Sequence, residues 1–311
     1  MGIDLEGKYL FDLNYLDCSK SQYVSYLKQM GYRVEALYYN CLDSTNEIMI
    51  QIIKQKKSRY HFDELGFQHS DWQLIGLEKR DIHSESLYNI QEGIKEIIDS
   101  GNIVFVSVDT FYLPHRKQSY QKEKSPHSIM IKGFHDNLID IIDETAPIFS
   151  KFQYPISELE IAYKNGCGFR YISYFEPITF NNMDDLKEKT KKLFQDFIDN
   201  RNETYELFDS VDDLLKLKSP YFNNLVETLQ HLSASFTLLA GSREMFVHFA
   251  NFVDFDDEVL NLAKKSSRIA DSLRNMLNKG ILRNRVKENL VLEKVNTLWE
   301  IEIKLNQLLL R

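Results

Sequence analysis

Three residues of the 311-residue chain have types and spacing suited to covalent acyl chemistry: Cys18, His127 and Asp143. Cys18 follows Asp17, a good helix N-cap, and opens a segment in which Tyr23, Val24, Tyr26, Leu27 and Met30 form a helical apolar stripe ended by Gly31. A thiol at the start of a helix meets the positive end of the backbone dipole, which favours the nucleophilic thiolate. His127 stands before the apolar run SIMIKGF (128–134), and Asp143 closes the run LIDIID (138–143). The intervening His-Asp-Asn suits a tight hairpin turn. That turn lies midway between His127 and Asp143, so the hairpin brings their ends together. The carboxylate can then orient the imidazole and support its charged form. Taken singly, each residue also fits a plainer role: a small buried hydrophobe, a surface histidine and a turn-capping aspartate.

The elements that must hold these groups are readable in outline. Residues 33–39 alternate like a strand, and 86–100 read as a helix stopped by Gly101. IVFVSV (103–108) and RYISYF (170–175) read as further strands, and Ser157 with Glu160 forms a capping box ahead of a short helix. Residues 45–80 carry no decisive pattern. Five of the six prolines and ten of the twelve glycines precede residue 180, so the remainder should be helical. Its segments begin near Met183, at Tyr205, at Pro220 and at Asp256. Gly280 should end the fourth, and a last helix should run from about Arg285 to Leu310. The fold class is therefore α+β followed by an all-α bundle, with one boundary in 176–185 separating domains 1–180 and 181–311.

Composition narrows the function. A net charge of −8, from 38 basic and 46 acidic residues, argues against a general nucleic-acid binder. No apolar run is long enough to span a membrane, and the N-terminus lacks the basic start and apolar stretch of a secretory signal. Three scattered cysteines do not make a disulfide framework, so a cytoplasmic protein with reduced thiols is expected, Cys41 and Cys167 being structural. No metal-binding histidine spacing and no glycine-rich phosphate loop is present. The lack of a phosphate loop argues against an ATP-dependent ligase.

The segments DCSKSQYVSYLKQMGY and HSIMIKGFHDNLIDIIDETA resemble the nucleophile helix and the His–Asp hairpin of papain-like cysteine enzymes of the bacteriocin-leader-peptidase type. The run VDTFYLPHR, the polar loop after it and the later ISELEIAYK are similar to the N-terminal domain of the butirosin-biosynthesis acyltransferases. The resemblance covers roughly residues 8–180. It implies a papain-like cysteine protease fold, with the nucleophile helix packed on an antiparallel sheet. The implied activity is acyl transfer from the phosphopantetheine thioester of an acyl or peptidyl carrier protein, through Cys18, to a small amine acceptor, as in thiotemplated antibiotic assembly. No other cofactor is implied. His127 would be the base and Asp143 its orienter. Leader peptidases place an oxyanion-donating Gln six residues before the Cys; here that position is Asp12, with Asn14 near but out of register as a substrate-binding candidate. A peptidase or amidase using the same triad, and a non-catalytic binding protein keeping the fold, are the alternatives.

Two further assignments come from placement. Asp109 and Tyr112 leave the strand 103–108 where a site residue often sits, and would hold the cationic amine; the alternative is that Asp109 caps the turn before Pro114. The loop 115–127 carries Arg116, Lys117, Lys122 and Lys124 in an otherwise acidic chain. These would steer an acidic carrier protein toward the site, or form a solvated turn.

Overall fold

The computed structural model describes residues 5–12, 14–63, 65–166, 170–178 and 183–310. Cys167 lies outside them. The chain forms two compact units, one of residues 1–34 and 75–180, the other of 35–74 and 181–311. The single expected boundary is thus one of three crossings, and residues 35–74 belong to the helical unit.

In chain order, α1 (Cys18–Gln29) starts at Asp17, whose carboxylate accepts from the Lys20 N–H. Gly31 (φ +88°) follows its end, as expected of a residue that enters the left-handed region without strain. Met30 is exposed and not part of the buried stripe. Val34–Tyr38 is a 3₁₀ turn and not a strand. Its consecutive Ala36, Leu37 and Tyr38 are all buried, which one face of a period-two strand does not achieve. A short helix α2 (Thr45–Ile48) continues into a π-helical turn at Met49–Lys54.

The chain returns as β1 (Leu77–His83), α3 (Leu87–Asp99), β2 (Val104–Asp109), β3 (Pro126–His135), β4 (Leu138–Thr145), β5 (Ile148–Pro155), α4 (Ile156–Lys164) and β6 (Tyr171–Pro177). They build an antiparallel six-stranded sheet in the order β1-β6-β2-β3-β4-β5. The β3–β4 hairpin turns at Asp136, which takes φ +54°. β1 and β5, the strands without a clear sequence signal, are the sheet's edges and bury few side chains. Alternate residues of β2, β3 and β4 (Val104, Val106, Ile129, Ile131, Ile139, Ile141) pack against α3 and α4. On the opposite face Phe105 meets Tyr23 of α1 edge-on at 4.6 Å.

The expected capping box at Ser157 and Glu160 does not form; α4 has no side-chain cap. The buried Glu160 reaches across to α3, accepting from Ser86 Oγ at 2.6 Å and the Leu87 N–H at 2.7 Å, with Lys164 Nζ at 2.7 Å. Burial pushes this carboxyl up, but the Lys164 and Ser86 bonds and the Leu87 N–H outweigh it and hold it below its ordinary value.

The second unit adds α5 (Met183–Asn200), α6 (Glu206–Leu215), α7 (Leu225–Phe252), α8 (Asp257–Arg283) and α9 (Glu288–Leu309). α7 starts after the Asn224 cap and not at Pro220. α8 runs through Gly280 and ends at Asn284 in the left-handed region; a Cβ at Gly280 would lie 3.2 Å from the Leu229 side chain, so glycine lets α7 and α8 approach. Arg243 is fully buried, bonding Glu302 Oε2 at 2.5 Å and the Asp43 carbonyl at 2.7 Å. Glu203 accepts from the Thr45 N–H at 2.9 Å. These bonds fix residues 43–45 within the helical unit. Among the described residues, no helix is long and apolar enough to cross a membrane.

Because the Glu160 carboxyl is lowered on folding, its contribution is present above about pH 4.5 and lost as the pH falls through its folded value. Glu160→Ala should therefore cost about 1–2 kcal/mol near neutrality, the scale of a lost N-cap. The deficit should shrink in acid, as read by urea unfolding at both conditions.

Candidate active site

The start of α1 is tied down by the turn before it. Asp12, nearly fully buried, accepts from the Leu16 N–H at 2.9 Å and the Tyr15 N–H at 3.1 Å, while Ser21 Oγ donates to its carbonyl at 2.7 Å. The aspartate at the position of the leader-peptidase glutamine thus shapes the turn that delivers Cys18. Asn14 sits in the same turn, with its N–H toward Asp12. One helical turn beyond Cys18, the buried Gln22 donates from Nε2 to the Ser128 carbonyl at 2.6 Å. That bond fastens α1 beside His127, and no sequence pattern signalled it.

Cys18 is half-buried in the first turn of α1. His127 is buried near the start of β3, with Nε2 at 2.8 Å from Asp143 Oδ1. Asp143 engages Nε2, and Cys18 acts on the ring both by charge and by hydrogen bonding. Burial disfavours the imidazolium, but the Asp143 charge and hydrogen bond, together with Cys18, outweigh it and push the His127 pKa up to about 10. Burial likewise opposes ionisation of Asp143. The His127 charge and the donors His115, His127 and Arg116 prevail and hold its carboxyl well below the usual range.

Asp143 has more partners than the expected triad supplies. His115 Nε2 lies 2.6 Å from Oδ2, and Arg116 donates from Nε to Oδ2 at 2.7 Å and from Nη2 to Oδ1 at 2.6 Å. The Glu144 N–H adds a bond to Oδ1 at 2.7 Å. Arg116 Nη2 also abuts His127 Nε2. The Arg116 guanidinium is therefore committed to the site and is not a free docking cation, which corrects its expected role. Its basic neighbours made it look like part of a surface patch. Lys117, Lys122 and Lys124 are exposed, as a docking surface requires, and Lys122 Nζ donates to the Lys117 carbonyl at 2.9 Å.

The amine-holding role of Asp109 at a pocket rim is also corrected. Its side chain is fully buried, and Oδ1 accepts from the Phe111 N–H at 2.9 Å and the Ser125 N–H at 3.1 Å, closing the two ends of the loop. Tyr112 is partly buried, packing against the sheet's core and edge-on to Phe111.

No family model matches the chain. It is, however, similar to a curated transferase from Niallia circulans, at 24% identity over 294 residues. The likeness runs almost end to end. It covers 94% of each protein, so it extends the resemblance to the butirosin-biosynthesis acyltransferases beyond residues 8–180 and through the helical unit. That relative transfers 4-(gamma-L-glutamylamino)-(S)-2-hydroxybutanoate from the BtrI acyl-carrier protein to ribostamycin.

The His127 pKa rises on folding, from 6.5 to about 10. The stability it contributes is complete below about pH 6.5 and lost as the pH climbs through about 10. His127→Gln should thus melt below the wild-type protein near neutrality, and the gap should close in alkali, as followed by calorimetry across that range.

Proposed function

We propose that the chain is a thiol acyltransferase that moves an acyl group from a carrier-protein thioester through Cys18 to an amine, forming an amide in natural-product assembly. The end-to-end similarity to a carrier-protein-dependent transferase carries this reading, and the placement of Cys18, His127 and Asp143 supports it.

In the proposed cycle the attacking form pairs a Cys18 thiolate with a protonated His127. The Cys18 sulfur attacks the donor carbonyl, and the developing oxyanion meets the Cys18 backbone N–H at the start of α1. The pantetheine C–S bond breaks, and its sulfur takes the proton from His127. The amine then attacks the Cys18 thioester and gives a proton to His127, and Cys18 departs as the amide forms. The site is thereby restored to its starting charge. Asp143 keeps the imidazole oriented and balances its charge throughout.

Mass spectrometry with an acyl-thioester should detect an acyl adduct on Cys18 that an amine resolves faster than water does. Cys18→Ala should lose the adduct and turnover while staying folded. Prompt resolution by water alone would make the protein a hydrolase. No adduct, with Cys18 inert to alkylation, would leave a binding protein.

The exposed Lys117, Lys122 and Lys124 are the docking cations of this reading. Reversing two of them should raise KM for the carrier-bound donor by roughly tenfold and flatten its salt dependence. A small synthetic thioester, which has no carrier to dock, should react as with the wild-type enzyme.

A further inference from the structure

We infer that Arg116 and His115 are positioning residues for the Cys18–His127 pair, with Arg116 as the fixed charge that sets the pH range in which the pair works. This rests on Cys18 and His127 acting together, as proposed above.

The geometry separates the two roles. The Arg116 fork spans both oxygens of Asp143, Nε on Oδ2 and Nη2 on Oδ1, and so fixes the plane of the carboxylate. The oxygen facing His127, Oδ1, also accepts from the Glu144 N–H. His115 holds Oδ2 from the other side, and its own orientation is fixed in turn. Its ring stacks on Phe152 at 4.0 Å, and Nδ1 lies 2.6 Å from Tyr154 Oη. That oxygen accepts from the His115 backbone N–H at 3.3 Å, so its proton is free to point at Nδ1. Nε2 then carries the hydrogen offered to Asp143. His115 thus supplies a hydrogen bond of fixed direction, and Arg116 supplies charge as well as geometry.

The charged and titratable groups around the pair come from four parts of the unit. Asp143 and Glu144 lie on β4, Arg116 and His115 on the loop after β2, Asp12 and Asp17 at the entry to α1, and Tyr171 on β6. Burial keeps Tyr171 protonated. Arg116 is thus a permanent cation set against several carboxylates. Removing it makes the sulfur harder to ionise and the imidazolium harder to deprotonate, so both limbs of the pair's titration move to higher pH.

The test is the pH dependence of Cys18 alkylation by iodoacetamide, measured alongside kcat with a small thioester. Arg116→Gln should shift the acid limb upward by about half a unit to one unit and lower kcat by roughly tenfold to a hundredfold. Arg116→Lys keeps the charge and loses the fork, so its alkylation profile should return toward wild type while kcat stays low. His115→Ala should lower kcat with little shift of the profile, and Tyr154→Phe should do so more weakly. Thermal melts establish that each variant is folded; if Arg116→Gln is not, the comparison of Arg116→Lys with wild type decides. A wild-type profile in Arg116→Gln, or full kcat with a wild-type profile in Arg116→Lys, would overturn the inference. Alkylation reads Cys18 without any acyl transfer, so a protein that proves to be a hydrolase still answers the question. A Cys18 inert in the wild type would sink both readings, whereas an active wild type with unshifted variants would sink this one alone.

Discussion

A carboxylate with no exposure to water survives ionised only where donors surround it, because the desolvation of one such charge costs several kcal/mol. Asp143 meets that condition with two imidazoles, an arginine fork and a backbone N–H. The loop after β2 must close over the sheet to bring His115 and Arg116 to it. β3 and β4 must pair in one register to bring His127. The sheet and loop around this end of the hairpin are thus organised by the needs of one buried anion.

The Cys18 side is held by bonds of a different kind. Asp12 closes the turn ahead of α1, Gln22 ties the helix to the Ser128 carbonyl, and Tyr23 wedges against Phe105. None of these groups needs to take part in bond making. Together they keep the Cys18 end of α1 beside the imidazole. Asp109 does similar work for the opposing loop, bonding at both ends of it from a fully buried position.

What was legible in the sequence was local. The α1 start, the His127–Asp143 hairpin and the C-terminal helices announce themselves by caps, turns and periodicity over a few residues. His115 and Arg116 lie 28 and 27 residues from the carboxylate they serve, in a loop without periodicity, and only strand pairing brings them there. Glu160 satisfied a local capping pattern yet bonds Ser86, 74 residues away. β1 and β5 escaped notice because an edge strand can keep polar residues on both faces. Asp109 combined a site-like location with a capping aspartate's chemistry, and burial decided between them.

The route of the chain has a consequence for synthesis and inheritance. Residues 35–74 leave the ribosome early, between α1 and the sheet, but the groups that anchor them, Glu203 and Arg243, are translated much later. This stretch can make those bonds only after the strands of the sheet have been translated. For the same reason neither unit corresponds to one continuous piece of gene. A fusion or deletion at residue 180 would leave a forty-residue orphan inside the first half of the chain, so the two units can be exchanged between relatives only together.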